Sequence, residues 1–169
     1  MDILIVRHAI AEDRMQFAKR GLTDDLRPLT KKGVERMRDG TRGLLQILDQ
    51  IDLLAASPLT RAQQTADILA KAFNPGPVIE VPELAPGNGP AAITAWLAEQ
   101  DTTDTLGIVG HEPDLSELVA WLVCGRSEGF LELKKGGACL VTCHGAPTQG
   151  RCTLLWALSP RQLRLLGRG

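Results

Sequence analysis

The chain contains no tyrosine, and its three tryptophans and three phenylalanines bring aromatic content to only 4% of 169 residues. Aromatic platforms for stacking unpaired bases are therefore not to be expected. Neither sign of charge is in surplus, since 19 Lys and Arg stand against 20 Asp and Glu. A general nucleic-acid binder carries a basic excess that is missing here. No stretch approaches the roughly 18 consecutive apolar residues of a membrane span, and the first residues lack the basic, apolar, small-residue order of a secretory signal. A cytoplasmic protein is the expectation. Cysteine is sparse, at four (Cys124, Cys139, Cys143 and Cys152). In a chain long enough to bury its own core these are expected to be small buried apolar groups rather than a disulfide framework. Cys139, Cys143, His144 and Cys152 match no CxxC knuckle, so packing is favoured over a zinc site, and no metal or other cofactor is expected.

What is present is 44% hydrophobic and 23% charged sequence, the composition of one ordinary globular domain, here taken to span residues 1–169. Asp2 to Arg7 is a short apolar run that ends in charge, as in a strand buried on both faces. Ala9 to Leu29 shows no periodicity and reads as a long connection with at most a turn of helix. Thr30 can cap a helix whose stripe Val34, Met37, Thr41, Leu44, Leu48 has helical period. Leu53 to Ala56 is a second apolar run, and Ser57-Pro58 reads as N-cap and first-turn proline of a helix that must stop before Asn74-Pro75-Gly76-Pro77. Val78 to Val81 is a third strand, residues 91 to 100 a short helix, and Thr105 to Gly110 a fourth strand. A helix carrying Leu115, Leu118, Val119 and Leu122 ends at Gly125. Ala138 to Cys143 and Thr153 to Leu158 read as two closing strands, and a short basic tail with Arg161, Arg164 and Arg168 reads as a solvated helix face. Alternating strands and helices predict an α/β fold, a three-layer sandwich with a mostly parallel central sheet flanked by helices and antiparallel pairing at one edge.

In such a sheet, ligands bind beyond the carboxyl ends of the strands. Three of these ends are unusual: Arg7-His8-Ala9, Ser57-Pro58-Leu59-Thr60-Arg61, and Gly110-His111-Glu112. Two of three histidines and two arginines thus converge at one end of one sheet. A helix N-terminus there adds free N–H groups and partial positive charge. Taken singly, each is an ordinary solvated loop residue; together they define a phosphate pocket.

Leu4 to Ala9, Ala56 to Ala66 and Ile108 to Pro113 resemble the three signature segments of the histidine phosphatase superfamily, the phosphoglycerate mutase-like proteins. The short length, Arg27-Pro28-Leu29-Thr30, Pro82-Glu83-Leu84 and Trp156 to Pro160 resemble more narrowly the SixA-type phosphohistidine phosphatases. The resemblance implies a metal-independent phosphatase in which His8 is the nucleophile and is phosphorylated transiently. Arg7, Arg61 and His111 would surround the phosphoryl oxygens. Arg27 would be either part of the pocket rim or a surface arginine preceding a helix. The proton donor is implied to be Glu83, which would equally suit a loop acid; Glu112 is the second candidate, and would equally suit a helix N-terminal acid. Ala9 stands where the superfamily most often has glycine, so a positive φ there would be strained.

Three functional readings remain at this point. One is a phosphohistidine phosphatase acting on a phosphorylated protein such as a phosphotransfer domain. Another is a phosphatase or mutase of a small phosphorylated molecule. The third is a non-catalytic phosphate-binding module, and the complete set of Arg7, His8, Arg61 and His111 disfavours it. No insertion between Arg61 and Glu83 is long enough to form a lid, which disfavours a mutase. Nucleic acid and membrane partners are not expected.

Overall fold

The computed structural model describes residues 1–100 and 104–168. Six strands form one sheet: β1 (Asp2–Arg7), β2 (Leu53–Ala56), β3 (Ile79–Glu80), β4 (Thr105–Gly110), β5 (Ala138–Cys143) and β6 (Cys152–Leu158). Their order is β3-β2-β4-β1-β5-β6. The first four are mutually parallel, and β5 and β6 join antiparallel at the β1 side. This is the predicted α/β arrangement of a mostly parallel sheet with an antiparallel edge.

Both faces of the sheet are covered, which is why the central strands are continuously apolar. On β1, Ile3 and Ile5 face a core formed with Leu115, Leu118 and Leu122 of α5 (Asp114–Cys124) and Ile93 and Leu97 of α4 (Gly89–Ala98). Leu4 and Val6 face the opposite core, with Met37 and Leu44 of α2 (Lys31–Leu44), Ala66 and Leu69 of α3 (Thr60–Phe73), and Leu163 of α6 (Pro160–Leu166). Each fully buried side chain of this size removes apolar surface worth about 1.5–3 kcal/mol, so the two layers of helix are held by burial rather than by propensity. Gly33 brings α2 against the loop after β1: a Cβ there would sit 2.1 Å from the Ile10 carbonyl oxygen. Gly43 does the same for α6, where a Cβ would sit 1.8 Å from Leu163 O.

Several elements differ from the sequence expectation. Residues 9–29 hold a short helix α1 (Arg14–Ala18), capped by Asp13, and a 3-10 turn at Asp24–Leu26. Helix α2 starts after Thr30, whose side chain caps Gly33 N, but ends at Leu44 rather than Leu48. Helix α3 begins at Thr60, with Leu59 as its cap residue, and not directly after Ser57. The basic tail forms a helix as expected, α6, started by a reciprocal capping box between Ser159 and Gln162 that the Ser-Pro-Arg-Gln spacing already encodes.

The cysteine expectation needs correction. Cys143 and Cys152 face each other in the β5–β6 register and are disulfide-bonded, with Cα atoms 4.5 Å apart. Antiparallel pairing of the two strands creates this proximity, and linear spacing of nine residues does not reveal it. Cys139 is buried and free, as anticipated, whereas Cys124 is exposed. Among the described residues no helix is long and apolar enough to cross a membrane.

Candidate active site

The parallel register of β1 and β4 pairs Arg7 with Gly110, so the next residue of each strand, His8 and His111, emerges at the same level. Their ring centroids lie 5.1 Å apart. The neighbouring strand β2 ends at Ala56, Ser57 follows with its N–H donating to Val109 O, and α3 then carries Arg61 in its first turn. Strand register and the start of α3 thus gather four sequence-predicted residues. They line a cleft of about 580 Å³ together with Arg27, Glu112, Lys135, Asp24 and residues of the 11–14 segment.

His8 is 6% exposed. Its Nδ1 lies 2.7 Å from the carbonyl oxygen of Ala9. A carbonyl only accepts, so Nδ1 carries the proton and Nε2 keeps its lone pair on the cleft side. Burial holds the His8 pKa down to about 3, and the charges of Arg61, Arg7 and Lys135 reinforce this against the Ala9 hydrogen bond. The ring is therefore neutral and nucleophilic at ordinary pH. Its backbone is fixed by N–H donation to Gly110 O and by the Gly136 N–H donating to His8 O. Ala9 N donates to Thr65 Oγ1, which donates to Arg61 O, tying the loop after β1 to α3. Ala9 is unstrained, since among the described non-glycine residues only Asn74 has positive φ.

His111 is buried on the same floor, with Nε2 2.8 Å from Ser57 Oγ. Leu59 N–H donates to that Oγ at 3.3 Å. A hydroxyl both accepts and donates, and with the Ser57 proton given to Nε2 the proton of neutral His111 resides on Nδ1. That Nδ1 has no partner among the described residues. Burial, followed by the proximity of His8 and Arg61, lowers the His111 pKa to about 3.

The arginines are anchored and each keeps an open donor. Arg7 Nη1 donates to Leu133 O at 2.7 Å. Asp24 organises the other two: its carboxylate accepts from Arg27 Nε at 2.8 Å and pairs with Arg61 Nη2 at 3.2 Å, and its carbonyl accepts from Arg61 Nη1 at 2.9 Å. Arg27 also donates to Glu12 O, which places it in the cleft wall and buries it to 8% exposure. Although burial opposes it, the Arg27 hydrogen bond and the charges of Arg61, Arg27 and Arg14 hold the Asp24 carboxyl below its ordinary value. Among the described residues, Arg7 Nε and Arg61 Nε are buried donors without partners, and the buried His111 Nδ1 is likewise unpartnered. An unsatisfied buried donor costs about 1–3 kcal/mol, so three in one cleft mark a place prepared for acceptor oxygens.

Glu83 lies on a 3-10 turn, Pro82–Leu84, and is not among the residues lining this cleft, whereas Glu112 is. Ser57, Asp24, Thr65 and Lys135 were not singled out as site residues by sequence reasoning. Ser57 stood in the right motif but was read as a helix cap. Asp24 sits in a segment without periodicity, where no signal pointed to it.

A family model for the histidine phosphatase superfamily (branch 1) matches residues 3–86. An uncharacterized protein of Picosynechococcus is 38% identical over 140 residues, 81% of this chain and 82% of that one. Phosphohistidine phosphatase SixA of Escherichia coli is 25% identical over 168 residues, 98% of each chain. The solved structure of a protein histidine phosphatase SixA complexed with tungstate superposes with a TM-score of 0.82 at 27% identity, covering 96% of this chain and 99% of that one. The chain belongs to the histidine phosphatase superfamily, a phosphatase and hence a hydrolase. Within it, the fold and its extent are of the SixA type.

Proposed function

We propose that this phosphatase removes the phosphoryl group from phosphohistidine on a protein, by way of a covalent phospho-His8 intermediate. The observation that carries the reading is the His8 geometry: Nδ1–H is committed to Ala9 O, and Nε2 is left as a lone pair on the floor of a cleft ringed by unpartnered donors. Nε2 attacks phosphorus, and the Nε of Arg7, the Nε of Arg61 and the Nδ1 of His111 take up the three phosphoryl oxygens. Phosphoryl transfer is catalysed mostly by positioning and charge stabilisation of this kind. Arg27 holds the rim through Asp24 and adds positive charge. Water then attacks the phosphorus of phospho-His8 and regenerates the neutral ring.

Two features support a protein-borne substrate. Helix α3 is followed by only a short connection to β3, so no long insertion after Arg61 encloses a small metabolite. The likeness to SixA proteins over nearly the whole chain points the same way. A leaving imidazole can also be protonated before cleavage and asks little of an acid.

The test is a panel comparing a phosphorylated phosphotransfer domain, a phosphohistidine peptide, sugar phosphates and a phosphoserine peptide, combined with rapid quench using labelled substrate. Acid-labile, base-stable label on the wild type and none on His8→Ala is the expected result. A preference for a sugar phosphate by orders of magnitude in kcat/KM would replace the phosphohistidine reading with that of a small-molecule phosphatase.

A further inference from the structure

We propose that the Glu112 carboxyl is the proton donor to the leaving atom, positioned for this by the Ser116 hydroxyl and by its place directly after His111 at the end of β4. The inference rests on the phosphatase reading above and extends it to phosphomonoesters, whose leaving oxygen needs a proton.

Glu112 lines the cleft alongside Arg7, His8 and His111. Its Oε2 accepts a hydrogen bond from Ser116 Oγ, one helical turn further on. Its Oε1 is buried and has no partner among the described residues. A carboxylate oxygen left bare in this way is costly, whereas a protonated one needs only a single acceptor to complete it. That acceptor is the bridging oxygen of a bound monoester. The alternative role, an acid serving the dipole of α5, is already filled: Asp114 and Glu117 occupy the first turn of that helix, and Glu112 precedes it.

The surroundings favour retention of the proton. Burial raises the Glu112 pKa, and the charge of Glu132 pushes in the same direction. Opposing them are the Ser116 hydrogen bond, the Arg7 guanidinium at the end of β1, and the backbone of Leu133; the overall direction is upward. The Cys139 thiol of β5 also faces this carboxyl and is itself held protonated, with its pKa pushed up to about 12 by burial and by Glu112. A phosphate dianion arriving in the cleft adds negative charge and raises the Glu112 pKa further.

The step balances. His8 Nε2 forms a bond to phosphorus as the bond from phosphorus to the ester oxygen breaks. That oxygen takes the Glu112 proton and departs as an alcohol, leaving a Glu112 carboxylate. Water then attacks the phosphorus, its proton passes to Glu112, and the electron pair of the breaking P–N bond returns to Nε2. The products are an alcohol and hydrogen phosphate, and both residues are restored.

The experiment measures kcat/KM for wild type, Glu112→Gln, Ser116→Ala and Glu83→Gln on p-nitrophenyl phosphate, benzyl phosphate and an alkyl phosphate, with thermal melting as a check of folding. Loss of a general acid typically costs about a hundredfold or more, so Glu112→Gln should lose that much on the benzyl and alkyl esters while p-nitrophenyl phosphate, whose leaving group departs as an anion, changes little. Glu112→Gln should also abolish the basic limb of the ester pH profile. Ser116→Ala keeps the carboxyl but releases it, giving a smaller loss of the same selectivity even if the Gln variant fails to fold. Equal losses on all three esters, no loss, a wild type inert toward alkyl esters, or the selective loss appearing in Glu83→Gln would each overturn the assignment. Label trapped on His8 from p-nitrophenyl phosphate separates this failure from failure of the phosphatase reading.

Discussion

Ser57 Oγ lies 2.8 Å from Nε2 of His111, and with the hydroxyl proton given to Nε2 the residue that follows β2 holds the tautomer of the residue that follows β4. A histidine intended to donate to a phosphoryl oxygen must hold its proton on the cleft-facing nitrogen, and the Ser57 hydroxyl occupies the other one. Ser57 belongs in the site for this reason, although the same residue type at the same place serves elsewhere as a helix cap.

Replacing Ser57 with Ala removes the acceptor-donor relay between Leu59 N–H and His111. The ring then loses its fixed tautomer, and kcat should fall about tenfold, equivalent to roughly 1.4 kcal/mol of transition-state stabilisation. KM should move little, while the melting temperature should fall modestly, because the buried His111 Nε2 and the Leu59 N–H lose their partner. Steady-state kinetics and a melt decide it; an unchanged kcat would show that the tautomer is set by something else.

Arg7→Ala and Arg61→Ala should each weaken vanadate binding by about 1.5–3 kcal/mol, the scale of a hydrogen bond to a charged group. Asp24→Asn should weaken it less, since the Arg61 Nη1 bond to the Asp24 carbonyl survives the change while the carboxylate pairs with Arg61 and Arg27 do not. Isothermal titration calorimetry measures all three. Unchanged affinity in both arginine variants would remove them from the oxyanion site.

The strand ends carried most of this site in the sequence. Arg7, His8, Arg61 and His111 stood out because charged residues follow buried apolar runs, and β4 and α5 were delimited by their pattern and by Gly125, which adopts the left-handed conformation as an end-of-helix glycine should. What the chain did not disclose was lateral. The adjacency of β1 and β4 that sets His8 against His111, the Cys143–Cys152 bond and the Asp24 clasp on two arginines all depend on which segments become neighbours in space. Linear periodicity contains no information about that. The 9–29 segment hid Asp24 for the same reason: its short helix and 3-10 turn are held by Asp13 capping and by pairs such as Arg14–Asp24, not by an amphipathic stripe.

Chelation should leave activity intact. In the proposed scheme the positive charge facing the phosphoryl group comes from Arg7, Arg61 and Arg27, which line the cleft with Lys135, and guanidinium groups supply it without a divalent ion. Turnover measured before and after EDTA, then with magnesium restored, provides the check. Activity lost to EDTA and recovered with the ion would count against the side-chain scheme.

The last expectation concerns acid. His8 and His111 both have folded-state pKa values of about 3, lowered chiefly by burial, against an ordinary histidine value of 6.5. Below pH 6.5 the unfolded chain takes up protons at these two positions while the folded chain does not, so protonation favours unfolding. Their contribution to stability is therefore complete above about pH 6.5 and is lost progressively as pH falls toward 3, at up to about 1.4 kcal/mol per pH unit for each ring. Urea midpoints between pH 7 and pH 4 should fall, and the slope should flatten in His111→Gln, which removes one titrating ring. The kinetic consequence runs in parallel. Since His8 stays neutral in the free enzyme, kcat/KM should show no acid limb from its ionisation near pH 6.5, only the titration of the substrate phosphate. A limb near 6.5 with a substrate whose phosphate does not titrate there would mean that His8 is far more hydrated than its 6% exposure implies.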